Sequence, residues 1–194
     1  MTRTADYPVD DLFLKRWSPR AFDGSGMPEA DLKTILEAAR WAPSAFNTQP
    51  WRFVYALRGE QAYQTLYGLL DDFNGSWATG ASALVFVVSD SMVDGVSKDG
   101  PVPAMFHAFD AGGAWAQAAL QATLLGYHTH AMAGLRRDKA HAVLELPERF
   151  KVHVAFAIGR RGDAGQLTPD LQAQERPSGR KPLAEIAFRG AFQR

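Results

Sequence analysis

The sequence contains no cysteine. This excludes a disulfide framework, a thiolate zinc site, an iron–sulfur cluster and a cysteine nucleophile, and it fits a reducing compartment. Neither sign of charge is in excess, with 21 Lys and Arg against 21 Asp and Glu in 194 residues. Without an overall basic field the chain is a poor binder of nucleic acid or of an anionic membrane. Long hydrophobic runs are also missing. The most apolar stretches, 81–88 and 111–126, are too short or too broken by Gly, Gln and Thr to span a bilayer. The opening MTRTADYPVDDLFLKRW lacks the basic-then-apolar order of a signal peptide, so the expected location is the cytoplasm.

The familiar catalytic signatures are absent too. No G-x-G-x-x-G follows an expected strand, and there is no Walker A sequence, no G-x-S-x-G elbow and no H-E-x-x-H. His128 and His130 share a face of an expected strand but lack a third ligand at metal-site spacing, so no metal is expected. This pattern is compatible with chemistry carried by a cofactor that the protein binds and orients.

What is present is 46% hydrophobic residues, enough for one domain over 1–194. Expected helices cover 9–16, 28–42, 59–70 and 136–146, with one or two helical turns over 74–80 capped by Asn74. Expected strands cover 51–57, 83–88, 127–133 and 152–158. The 83–88 run (ALVFVV) is apolar on both faces, as a buried central strand is. Residues 105–125 read as a long helix with Ala, Gly and apolar residues on nearly every side, which must be buried all round in a core or at a subunit interface. Residues 89–104 read as a long loop and lid candidate, 162–179 as a polar loop, and 180–194 as a tail with apolar content. The sum is an α+β sandwich of helices on a small sheet.

Three clusters look like parts of a site. In Arg16-Trp17-Ser18-Pro19-Arg20, an extended backbone points positions 16, 18 and 20 the same way, a row suited to phosphate or an anionic ring edge. In 41–51 two prolines bracket Ser44, Asn47, Thr48 and Gln49, whose amides and hydroxyls suit the polar edge of a flat heterocycle. Gly134 follows a strand and permits close backbone approach, while Arg180-Lys181 offers a phosphate clamp. Taken singly, each also fits an ordinary turn, a capped connection or a solvated basic pair.

Together, and in order, these segments resemble the FMN-dependent nitroreductase family. RWSPRAF (16–22) is similar to its R-x-S-x-R/K-x-F opening, and PSAFNTQPW (43–51) to P-S-x-x-N-x-Q-P-W, the most specific piece. Asn74-x-x-Trp77 before Ala81–Val85, the helix 110–126 before Ala133-Gly134-Leu135, Leu144-x-Leu146-Pro147, Ala157-Ile158-Gly159 and Arg180-Lys181-Pro182-Leu183 continue the match.

The resemblance implies a three-layer sandwich whose central, mostly antiparallel sheet is flanked by helices. It also implies an intertwined homodimer embraced by the 180–194 tails, with FMN at the subunit interface. It assigns FMN contacts to Arg16, Trp17, Ser18 and Arg20 of one subunit, and to Pro43, Ser44, Asn47 and Gln49 of the other. Asn74 would meet the pyrimidine side, Ala133 and Gly134 would offer backbone N–H near N5 and O4, and Arg180 and Lys181 would meet the phosphate. Trp77 stands where some members carry a basic residue, so Arg20 is left to support the reduced flavin, and no side chain is a conventional catalytic group. The implied reaction is ping-pong hydride transfer from NADH or NADPH through flavin N5 to a small aromatic acceptor, a nitroaromatic or quinone. The alternatives are another flavin reaction (substrate dehydrogenation, reductive dehalogenation or flavin degradation) or a non-catalytic flavin-binding protein.

Overall fold

The computed structural model describes residues 3–192. Its centre is a four-stranded sheet of order β1-β2-β6-β5, formed by β1 (Trp51–Leu57), β2 (Ala83–Asp90), β5 (His128–Met132) and β6 (Phe150–Gly159). Every pairing in it is antiparallel. Residues 83 to 89 are buried without interruption, as the continuous apolar run requires. Alternate side chains of β2 serve two separate cores. Leu84 and Phe86 pack with α3 (Gln61–Tyr67), α4 (Asp72–Ala78), α6 (Arg137–Val143) and α7 (Pro169–Gln174). Ala83, Val85 and Val87 pack against α2 (Glu29–Arg40) and α5 (His107–Leu124). The result is the expected three layers, helices–sheet–helices.

Local chemistry explains most boundaries. Helix α2 carries Glu29 and Asp31 in its first turn and buries Leu32, Ile35 and Ala39 at helical spacing. The short α1 (Asp11–Lys15) is capped by Asp10, which accepts from the Leu12 N–H at 2.8 Å. Four expectations need correction. Asp71, not Asn74, caps α4: its Oδ1 accepts from the Asn74 N–H at 2.8 Å, so the helix starts earlier and Asn74 lies inside it, buried. The polar stretch 162–179 contains α7, which starts on Pro169 and buries Leu171. The loop after β2 is not wholly irregular, since β3 (Met92–Val93) and β4 (Val102–Pro103) pair in a small ribbon. Finally, α5 is not buried all round within one chain: Ala111, Ala114, Ala118 and Ala122 face the core, while Phe109, Gly112, Gly113 and Ala116 are exposed. The final two residues of the tail expected over 180–194 lie outside the described residues.

No helix among the described residues is long and apolar enough to cross a membrane. Ile35 is fully buried between α5 and the sheet. Ile35→Ala is expected to cost about 2–5 kcal/mol of folding stability, read from urea or guanidinium denaturation.

Candidate active site

Residues 16–20 run extended and alternate as expected: Trp17 and Pro19 are buried, while Arg16, Ser18 and Arg20 are partly open. The Trp17 indole lies edge-on to His128, centroids 5.9 Å apart, and under the Arg161 guanidinium. Its side chain is therefore turned away from the row, and any ligand contact from Trp17 falls to its backbone. Arg16 Nη1 lies 3.2 Å from Ser18 Oγ, and both line a cavity of about 500 Å³ with Trp115, Ala119 and His130. That volume is within the usual range of ligand pockets, roughly 300–1,000 Å³.

Tertiary structure adds Arg3 to this end, a residue with no motif around it. Arg3 Nη1 donates to the Leu14 and Arg16 carbonyls at 3.0 and 2.6 Å, and its Nε to the Ser178 carbonyl at 2.9 Å. Arg180 lies beside it, lining the same cavity of about 260 Å³. Burial, then the Arg3 and Arg180 charges, push the Arg16 guanidinium below its ordinary range, and burial and Arg180 do the same to Arg3. Among the described residues none of the three forms a carboxylate ion pair. Three like charges gathered without a carboxylate ion pair suit a multivalent anion. Lys181 is exposed in the adjoining tail.

Arg20 is held by its backbone. The buried Glu175 carboxylate accepts from the Arg20 N–H at 2.9 and 3.0 Å and from the Ala21 N–H at 2.9 Å, so α7 ends as a clamp on the arginine row. The Arg20 Nε is buried without a partner, an open donor of the kind that native interiors rarely leave. Beside the row, the His130 Nδ1 is 3.0 Å from the Pro19 carbonyl, and its ring stacks obliquely on Trp77 at 4.6 Å. Burial lowers the pKa of both His128 and His130, and no group of three metal-ligating residues stands here or elsewhere among the described residues.

Asn74 and Gly134 lie together. The Gly134 carbonyl accepts from Asn74 Nδ2 at 3.2 Å and from the Asp71 N–H at 3.1 Å. The Ala133 carbonyl accepts from Arg137 at 3.0 Å. Neither the Ala133 nor the Gly134 N–H donates to another backbone group, leaving both available to a ligand. A Cβ at position 134 would overlap the Asp71 carboxylate and lie 2.6 Å from Asn74 Nδ2. The glycine is needed for close approach rather than for a special φ.

The 43–51 segment lies apart, at the other end of α5. Its backbone is strained: Phe46, Asn47 and Gln49 have φ of 52°, 55° and 48°. Such conformations cost non-glycine residues about 1–3 kcal/mol each and concentrate at functional sites. Side-chain acceptors at both ends help to hold them. Ser44 Oγ accepts from the Gln49 N–H at 3.0 Å, and buried Asp110 of α5 accepts from the Ala45 N–H at 3.1 Å. Pro43, Asn47 and Gln49 are exposed, and Phe46 is 99% exposed. Asp110 touches this loop, whereas Ala119 lines the Arg16 cavity. The near edge of that cavity, at Trp115, stands five residues along the helix from Asp110, about 7.5 Å. Within one chain, the loop and the arginine row therefore form two separate half-sites.

Gly134→Ala is expected to push Asp71 and Asn74 out of place and to cost about 1–3 kcal/mol, measured as a lowered denaturation midpoint.

Comparison with known proteins agrees with this geometry. The family model "Nitroreductase family" matches residues 14–160. A crystal structure described as an oxidoreductase containing FMN superimposes with a TM-score of 0.95 at 50% identity, covering 98% of this chain and 96% of that one. A curated NADH dehydrogenase of Thermus thermophilus is 30% identical over 90% of this chain and 92% of its own length. A nitroreductase family protein of Streptococcus pneumoniae shares the fold, with a TM-score of 0.73 at 23% identity, covering 92% of this chain and 98% of that one. This chain belongs to the nitroreductase family.

Proposed function

We propose that the protein is a homodimeric, FMN-dependent oxidoreductase. It takes electrons from NADH or NADPH and passes them to a small aromatic acceptor, a nitroaromatic or a quinone. The observation that carries this reading is the Arg3–Arg16–Arg180 cluster beside a cavity that also holds Ser18. It is a phosphate socket opening on a site with unused flavin-directed donors. The residues present fit FMN: the buried Arg20 Nε lacks a partner, and the Ala133 and Gly134 N–H groups are free of backbone bonds. The similar FMN-containing oxidoreductase and the NADH dehydrogenase support the cofactor and the donor.

When bound, FMN supplies the redox chemistry, accepting hydride from the nicotinamide and returning it to the acceptor. The chain's own task is binding and electrostatics. Arg16, Arg180, Lys181 and Arg3 hold the phosphate. Ser18 and the Trp17 backbone line the ribityl chain. Arg20 puts positive charge at the pyrimidine edge, where reduced flavin carries its negative charge, and Glu175 fixes the arginine's backbone without pairing its guanidinium. Asn74 would meet the pyrimidine side, and the Ala133 and Gly134 N–H groups would serve N5 and O4.

The second half-site comes from the partner subunit in this reading. The partner subunit's Pro43, Ser44, Asn47 and Gln49 close over the ring. The exposed stripe of α5 between the half-sites, with Phe109, Gly112, Gly113 and Ala116, is the surface two copies bury, and the small residues permit close helix contact. A cytoplasmic location accords with the cysteine-free sequence.

Two outcomes test this reading. Phe109→Glu is expected to give monomers in analytical ultracentrifugation and protein that emerges from desalting without a flavin spectrum; a dimer that keeps FMN refutes the shared site. Arg20→Ala is expected to weaken FMN retention or slow anaerobic flavin reduction by roughly tenfold or more, the value of one buried charged hydrogen bond. Unchanged retention and reduction rates refute its role. A retained flavin that neither NADH nor NADPH bleaches points instead to another flavin reaction or to flavin carriage.

A further inference from the structure

A second polar cluster lies outside the flavin contacts. Ser89, fully buried near the end of β2, places its Oγ 2.6 Å from His107 Nδ1 and 2.6 Å from His153 Nε2. One hydroxyl has one proton. It donates to one imidazole and must accept from an N–H of the other, so the three groups form a directed chain of hydrogen bonds.

The backbone is built to make this chain. Val87 pairs with Val154 and Val88 with Val152, leaving His153 as the extra residue of a β-bulge. Val152 packs into one core and Val154 into the other. In a regular strand His153 would face away from α5, whereas the bulge turns it toward Ser89 and α5. A bulge that re-aims a side chain is a built feature rather than an accident of the sheet.

The chain has two ends. His107 sits in the first turn of α5 and lines an apolar cavity of about 190 Å³ with Phe46, Val96, Val102, Met105 and Phe106. An apolar cavity of roughly 150 Å³ holds a benzene ring, so one aromatic ring fits here. The cavity is continuous with the strained 44–49 loop, which the functional reading brings to the partner's flavin. At the other end lies half-buried His153, whose carbonyl accepts from Arg137 at 2.9 Å.

We propose that His107, Ser89 and His153 form a proton relay to the electron acceptor bound in this cavity, with His107 as the donor. The inference rests on the functional reading above. Reduction of a quinone to a hydroquinone by hydride needs one proton besides the hydride. Bound FMN would supply the hydride, and His107 Nε2 would supply the proton. The Ser89 hydroxyl replaces it at His107 Nδ1, His153 Nε2 reprotonates the hydroxyl, and water restores the proton at His153 Nδ1. His107 touches the acceptor and is the catalytic residue; Ser89 and His153 supply and position the proton.

The test compares two acceptors. FMN-loaded protein is reduced anaerobically with NADH or NADPH and mixed in a stopped-flow instrument with 1,4-benzoquinone or with ferricyanide, which takes electrons without taking a proton. Ser89→Ala is expected to slow reoxidation by the quinone roughly 10–100-fold while ferricyanide changes by less than about twofold, a split that a merely structural defect would not produce. His107→Gln, which keeps a polar amide but transfers no proton, gives the same test should Ser89→Ala fail to fold. Equal loss with both acceptors, or no loss with either, overturns the relay. If the unmodified protein retains no FMN, or neither nucleotide reduces it, the functional reading fails first, and the relay with it.

Discussion

Strand β2 has no exposed face, and that constraint organises the molecule. Its alternating side chains feed two cores, so helices must cover both sides of the sheet. The α2–α5 layer and the α3–α4–α6–α7 layer follow from that demand, and each brings one part of the candidate site with it. Asn74 arrives on α4, where Asp71 caps the helix and meets Gly134 at the end of β5. Glu175 arrives at the end of α7 and takes the backbone of Arg20 and Ala21. Much of the site's precision therefore rests on carboxylates and carbonyls holding backbone N–H groups, with the Arg20 Nε left without a partner.

Helix α5 links the two ends of that arrangement. Its alanine face locks into the core, and its opposite face stays exposed with Phe109 and two glycines. Through Asp110 it holds a loop with three left-handed non-glycine residues, and farther along it walls the cavity beside Arg16. Strain at Phe46, Asn47 and Gln49 persists because the Ser44 and Asp110 bonds over-determine the loop. One chain thus carries two incomplete half-sites and an apolar surface between them, the arrangement that a two-fold dimer completes.

Legibility in the sequence varied with the range of the interaction involved. The strands over 51–57 and 83–88, the helix near 28–42 and the alternation of 16–20 were readable, because their signal is a short period repeated several times. Asp71 and Asn74 both have capping side chains, so the local sequence does not choose between them; in the fold the Asp71 N–H is fixed on the distant Gly134 carbonyl while its Oδ1 caps α4. Helix α7 was hidden in a polar segment because a single buried leucine, Leu171, anchors it. Arg3 and Glu175 had no local signal at all. Each works on a partner far along the chain, Ser178 for Arg3 and Arg20 for Glu175.

The sequence by itself determined the layer architecture, the cofactor-compatible chemistry and the residues that carry the family's motifs, because periodicity and short spacings are local properties. Tertiary structure alone decided that Arg3 joins Arg16 and Arg180, that Trp17 turns away from the row, and that the 43–49 loop is held by Asp110 at the start of α5 while the Arg16 cavity lies farther along that helix. It also decided that a bulge turns His153 toward Ser89 and His107. These outcomes depend on how strands register and helices dock across distant segments, where burial and hydrogen-bond satisfaction are settled for the whole chain at once.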